Sequence, residues 1–237
     1  MIAFELPHGK HRLRGDCHTA DSNVIVLHGA GKSSRMVFSR LRQNLSNHGI
    51  SSVSFDFIGH GETGGDILDT TLQDRTDQAA AVIRHICLEP VTIIAASMGA
   101  YSGIKLTEIF SVNNLILLVP AVYTSEAYDI PFGPKFSAAI RVPNSWKNSD
   151  AFDVLSGFYG NLVTIAAETD DVIPIEIIKK INTSAVNARS RALHVVPGSG
   201  HLSLFPTDDD FKMAMDMIIG VIKRQPNSHN AANIHQP

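Results

Sequence analysis

Val91-Thr92-Ile93-Ile94-Ala95-Ala96-Ser97-Met98-Gly99-Ala100 decides the fold. An apolar run rich in β-branched residues ends at a small-x-Ser-x-Gly turn. A helical stripe of Ile104, Leu106 and Ile109 follows. Continuous rather than alternating apolarity marks a strand buried on both faces, as in a parallel sheet. A strand that turns into a helix at a serine has the layout of a nucleophile elbow. That strained turn needs small residues two before and two after the serine, and Ala95 and Gly99 stand there. The same pattern also suits a plain helix N-cap, where serine is favoured.

Working outward, similar apolar runs occupy residues 24–27, 53–57, 115–119, 162–166 and 192–196. Apolar stripes at helical spacing lie between them. Met36, Phe38, Leu41 and Leu45 form one, and Ala79, Val82, Ile83 and Ile86 another. Ile175, Ile177, Ile178 and Ile181 follow Pro174, and the last stripe runs from Phe211 through Met215, Ile218 and Ile219 to Ile222. Alternating strand and helix predicts a doubly wound α/β sheet with right-handed crossovers. The alternation breaks over residues 120–160, which hold eight of the sixteen aromatic residues. A long irregular insertion of this kind reads as a cap over a pocket, or as a surface excursion with its own small core. Residues 225–237 are polar, without a stripe, and read as a disordered tail. The whole, 1–237, reads as a single domain.

The 237 residues carry a net charge of −3, with 44% hydrophobic and 18% charged residues. That composition excludes a disordered chain, and the charge argues against a nucleic-acid partner. No apolar run approaches the roughly 20 residues of a membrane span. The first 16 residues lack the apolar core of a secretory signal, so a cytoplasmic location is expected. Cys17 and Cys87 are then reduced thiols, and the sequons at Asn44 and Asn182 are chance matches. Oligomeric state is not readable.

Four further strand ends carry chemistry-bearing residues. His28-Gly29-Ala30-Gly31 follows the run at 24–27, and its glycines let backbone N–H groups point into a site. Ala30 N–H and Met98 N–H would be the donors of an oxyanion hole. Gly31-Lys32-Ser33 resembles the end of a phosphate-binding loop, but Val26 stands where that motif needs its first glycine, so nucleotide binding is rejected. Asp56-Phe57-Ile58-Gly59-His60-Gly61 is a tight loop whose His60 lines a site at most. After the run at 162–166 come Glu168, Asp170 and Asp171, any of which could orient an imidazole or simply complement a helix N-terminus. The spacing to Pro174 favours Asp170. His201, in the Gly-rich loop after the last strand, is placed to serve as a general base near neutral pH.

Together these pieces resemble the α/β-hydrolase superfamily over residues 23–211. His28-Gly29-Ala30-Gly31, Asp56-x-x-Gly59-His60-Gly61, Ala95-x-Ser97-x-Gly99, Asp170-x-x-x-Pro174 and Gly200-His201 occur in the family's order, serine, acid, histidine. The resemblance implies an eight-stranded, mostly parallel sheet with a cap after the sixth strand. It also implies a Ser97–Asp170–His201 triad. Ala95 departs from the commoner glycine, and Ala167 stands where the acid loop often has one. The expected activity is ester hydrolysis, with an acyl-thioesterase or a non-catalytic binding protein as alternatives. A peptidase is the weaker reading, since no second domain is seen to gate peptides. No metal or organic cofactor is expected. Tyr123, Phe132 and Trp146, with His28 and Gly29, are the candidate residues lining a small acyl ester or thioester substrate, and the aromatic rings suggest an apolar or aromatic group.

Overall fold

A computed structural model describes residues 1–224. The tail expected at 225–237 lies outside the described residues. The strands are β1 (Ile2–His8), β2 (His11–Cys17), β3 (Ser22–Leu27), β4 (Val53–Phe55), β5 (Cys87–Ala96), β6 (Val112–Leu118), β7 (Asn161–Ala167) and β8 (Ser190–Val196). They form one sheet in the order β1-β2-β4-β3-β5-β6-β7-β8. The β1–β2 and β2–β4 pairs are antiparallel and the rest parallel. The order reverses at β3, as a doubly wound sheet requires.

The unbroken apolar runs have a plain cause. Side chains alternate across a strand, and each face here is covered by helices. Ile25, Leu27, Ile93, Ala95, Leu115 and Leu117 pack on one side. Val24, Val26, Ile94, Ile116, Leu118 and Ile165 pack on the other, against α1 (Ser39–Asn47) and α7 (Asp208–Lys223). The first layer is α2 (Leu72–Ile86), α3 (Met98–Leu106) and α6 (Ile175–Ser184). Thr71–Asp74 and Thr207–Asp210 capping boxes start α2 and α7. In each, two backbone donors that the helix cannot satisfy are bonded reciprocally.

Two features differ from the residue-by-residue reading. Cys87, directly after the helical stripe that ends at Ile86, closes α2 and opens β5, four residues before the apolar run that begins at Val91. The N-terminal hairpin was absent from the apolar runs because Arg12, Arg14 and Asp16 alternate with Leu13, Gly15 and Cys17 in β2, while β1, at the sheet's edge, has no fully buried residue. An edge strand with one wet face carries only that weak period-2 signal.

Residues 120–160 follow β6 and hold two short helices, α4 (Pro134–Ile140) and α5 (Ala151–Ser156). Phe132, Phe136, Phe152 and Phe158 are buried and continuous with the core below, whereas Tyr159 is exposed.

Candidate active site

Ser97 joins β5 to α3 with φ 50° and ψ −123°. A non-glycine residue in that region stores strain, of order 1–3 kcal/mol, and persists only where its surroundings over-determine it. The surroundings are specific. Ser97 N–H donates to Leu118 O (3.0 Å), and Ser97 O accepts from Ala100 N–H (3.0 Å) and Ala121 N–H (3.1 Å). The elbow also presses on the end of β3. A Cβ at Gly99 would sit 2.5 Å from His28 O, so only glycine fits.

The turn carries the serine hydroxyl to His201. Ser97 Oγ lies 3.0 Å from His201 Nε2, and His201 Nδ1 lies 2.9 Å from Asp170 Oδ2. A carboxylate can only accept, so the ring proton sits on Nδ1 and leaves Nε2 free to accept from Ser97. The imidazole and the carboxylate are almost wholly buried. Asp170 is fixed further: its Oδ1 accepts from Val172 N–H (2.9 Å) and Ile173 N–H (2.8 Å). Two crosslinks tie the acid loop to the histidine loop. Thr169 N–H and Oγ1–H both donate to Ser199 O (2.8 and 2.7 Å).

Of the three acids the sequence offered, Asp170 alone pairs with His201. Glu168 instead accepts from Gly198 N–H (2.8 Å), which supports the same loop from outside, and Asp171 is exposed.

The loop after β3 lies against the serine. A Cβ at Gly29 would be 3.1 Å from Ser97 Cβ and 3.6 Å from its Oγ. Among the described residues, neither Ala30 N–H nor Met98 N–H donates to a protein acceptor. Met98 opens α3 with no side-chain cap, so its N–H also carries the positive end of the helix dipole.

His28, expected to line the substrate, does not. It is fully buried, its Nδ1–H donates to Gly29 O (2.7 Å), and its Nε2 accepts from Phe57 N–H (3.1 Å). Burial, reinforced by Arg75, holds its pKa well below the usual histidine value. A neutral ring fastening two loops is what those bonds require. His60 packs against it, ring centroids 4.9 Å apart, and is buried too.

Tyr123 and Phe132 meet through Phe136, at centroid distances of 5.7 and 4.7 Å. Tyr123 follows two residues after Ala121, which is bonded to the serine carbonyl. Trp146 belongs elsewhere, edge-on to Phe152 at 6.2 Å. A cavity of about 390 Å³ lined by Lys105, Glu108, Asp150 and Asp153 sits at the far end of α3 and includes none of the candidate site residues.

The sequence reading missed a charge cluster around the buried Arg35, with Asp16 and Asp56 buried and Glu62 at its exposed rim. Arg35 bonds Asp16 (2.8 Å) and Glu62 (2.6 Å) and pairs with Asp56, joining the hairpin to the loop after β4. A lone arginine after Ser34 carries no sequence signal of its partners. Among the described residues, no cluster of His, Cys, Asp or Glu has a metal-holding arrangement. No helix of the described chain is long and apolar enough to cross a membrane.

Eight mostly parallel strands, helices on both faces and a serine on a strained strand-to-helix turn define an α/β-hydrolase. Residues 18–153 match the model of the hydrolase family described as serine aminopeptidase, S33, and the chain belongs to that family. The match covers the loop at His28 and the elbow, and ends before Asp170 and His201. Solved structures share the fold at low identity. Est1E from Butyrivibrio proteoclasticus with ferulic acid bound has a TM-score of 0.72 at 16% identity, over 94% of this chain and 100% of that one. A monoacylglycerol lipase from Paleococcus ferrophilus gives 0.70 at 15%, over 89% and 98%. The thioesterase domain from the curacin biosynthetic pathway gives 0.69 at 13%, over 92% and 99%. No curated protein matches the chain in sequence.

Proposed function

We propose that this chain is a serine hydrolase that cleaves carboxylic esters through an acyl-enzyme. One observation carries the reading: the continuous hydrogen-bonded line from Ser97 through His201 to Asp170, set on a strained turn. In this reading Ser97 Oγ attacks the acyl carbon while His201 Nε2 takes its proton. Asp170 holds the ring and stabilises the imidazolium. Met98 and Ala30 N–H receive the oxyanion. The alcohol leaves with the proton from His201. His201 then deprotonates water, which releases the acid and restores Ser97. The proton passes from Ser97 through His201 to the alcohol, and then from water through His201 back to Ser97, so the steps balance with the triad, two backbone donors, substrate and water.

Tyr123 and Phe132 are the proposed walls for an apolar or aromatic acyl group, with residues 120–160 as the cap. Est1E, whose structure holds ferulic acid, shares the fold and supports that direction. An acyl-thioesterase uses the same triad, and the Ala-Ala-Ser elbow resembles that of some acyl-carrier thioesterases. A cytoplasmic setting is part of the proposal, supported by two free cysteines.

The test pairs a fluorophosphonate probe with p-nitrophenyl esters of graded chain length, acyl-CoA thioesters and aminoacyl anilides. Wild type is expected to be labelled at Ser97 and to prefer esters, and Ser97→Ala to lose both label and turnover. Full activity in Ser97→Ala, or an adduct on another residue, refutes the mechanism. A labelled enzyme faster on thioesters or on anilides replaces the substrate class. No adduct on the folded protein favours a non-catalytic binding role.

A further inference from the structure

Arg75 has no part in the steps above, yet it is among the most deeply buried side chains, at 1% exposure. From α2 its Nη2 donates to His28 O (2.9 Å) and to Gly29 O (3.0 Å). The guanidinium lies over Phe57, its Cζ 3.8 Å from the ring centroid. Its Nε and Nη1 have no partner, and among the described residues no carboxylate pairs with it. The two other buried arginines, Arg35 and Arg42, both pair with Asp16. A buried cation without a counter-ion is costly, so its place calls for a reason.

The reason lies in what it grips. A trans peptide is planar, with its C=O and N–H pointing in opposite directions. Gly29 O and Ala30 N–H belong to one peptide. Holding the oxygen toward Arg75 therefore aims the N–H away from it, and Gly29 is the residue packed on Ser97. His28 Nδ1–H holds the same oxygen from a second direction (2.7 Å). A carbonyl that accepts from a cation also polarises its own peptide, which strengthens the N–H as a donor.

We propose that Arg75 is a positioning residue for the oxyanion site: it fixes and polarises the Gly29–Ala30 peptide, and its uncompensated charge is matched by the oxyanion formed at Ser97. The inference rests on the hydrolase reading and adds a residue that touches neither substrate nor reacting atoms.

Arg75→Met keeps the apolar bulk and removes the charge. With p-nitrophenyl butyrate, kcat is expected to fall about 10- to 100-fold, less than the loss of a whole oxyanion donor. KM should stay within about threefold, because the interaction grows only in the transition state. Tm should hold or rise, since no buried cation remains. Arg75→Lys should recover part of kcat. A residue that only held the fold would show the reverse, a lower Tm with kcat intact. A folded Arg75→Met with kcat within about threefold of wild type overturns the proposal, as does a loss confined to KM. Wild type provides a check that needs no variant to fold. In a crystal of its phenylboronic acid adduct, a boronate oxygen is expected about 3 Å from Ala30 N while Gly29 O stays on Arg75. A boronate oxygen elsewhere, or a guanidinium withdrawn from Gly29, overturns it. If neither boronate nor fluorophosphonate modifies wild-type Ser97, the hydrolase reading fails and this inference falls with it.

Discussion

Asp170→Asn is the sharpest test of the catalytic reading, because the structure dictates how the new amide must sit. Oδ1 of Asp170 faces two N–H donors, from Val172 and Ile173 at 2.9 and 2.8 Å. In the variant the amide oxygen has to take that position. The NH2 group then faces His201 Nδ1, where the carboxylate now lies at 2.9 Å. A ring that accepts at Nδ1 carries its proton on Nε2, pointing at the serine, and can no longer act as base. Restoring the productive tautomer would set two buried donors against each other, at about 1–3 kcal/mol for each one left unsatisfied. The charge-assisted bond that stabilises the imidazolium, about 1.5–3 kcal/mol, is lost as well. The barrier should therefore rise by about 4–6 kcal/mol, a fall in kcat of about 10³- to 10⁴-fold. The same exchange in a serine protease triad costs about 10⁴-fold. Folding should change by less than about 1 kcal/mol, since the variant is isosteric and keeps both Oδ1 bonds. Asp170→Ala makes the informative contrast. It loses the loop anchors and should be less stable, yet its imidazole can choose either tautomer, so its kcat should be no lower than that of Asp170→Asn. Initial rates on p-nitrophenyl butyrate and urea unfolding midpoints measure both quantities. A kcat for Asp170→Asn within tenfold of wild type, with the fold intact, would refute the reasoning.

Other expectations concern strain and protonation. Ser97→Gly should abolish turnover but exceed Ser97→Ala in stability by about 1 kcal/mol, because glycine tolerates φ 50° and alanine does not; equal urea midpoints for the two variants would argue against stored strain at the elbow. His28 is held neutral by burial and by Arg75, its pKa well below the ordinary 6.5. A base depressed in the fold contributes stability that is complete above its unfolded pKa and drains away as pH falls below it. Wild-type stability should therefore decline as pH drops from 6.5, with His28 contributing up to about 1.4 kcal/mol per pH unit. His28→Gln should show a shallower decline in urea midpoints between neutral and mildly acidic pH, and identical slopes would count against the assignment.

Much of the fold was legible because parallel strands covered on both faces must be apolar at successive positions, and five loops with chemistry-bearing residues fall at the ends of such runs. Gly99 was readable for a related reason: a strand that turns straight into a helix brings its backbone onto the neighbouring strand, here against His28 O at a distance no Cβ could share. The edge hairpin was less visible, since most of β1 faces water and charged residues interrupt the apolar ones of β2.

The linear order of residues determined the α/β alternation, the elbow and the histidine loop, because each depends on local patterning within one strand and the turn after it. Tertiary structure alone decided between Glu168, Asp170 and Asp171, turned His28 from a substrate contact into a buried fastener, and laid Arg75 behind the Gly29–Ala30 peptide. Those outcomes depend on which groups meet across separations of 29 to 47 residues. Neighbours along the chain carry no record of such meetings; only the packing of the sheet and its two helical layers brings them about.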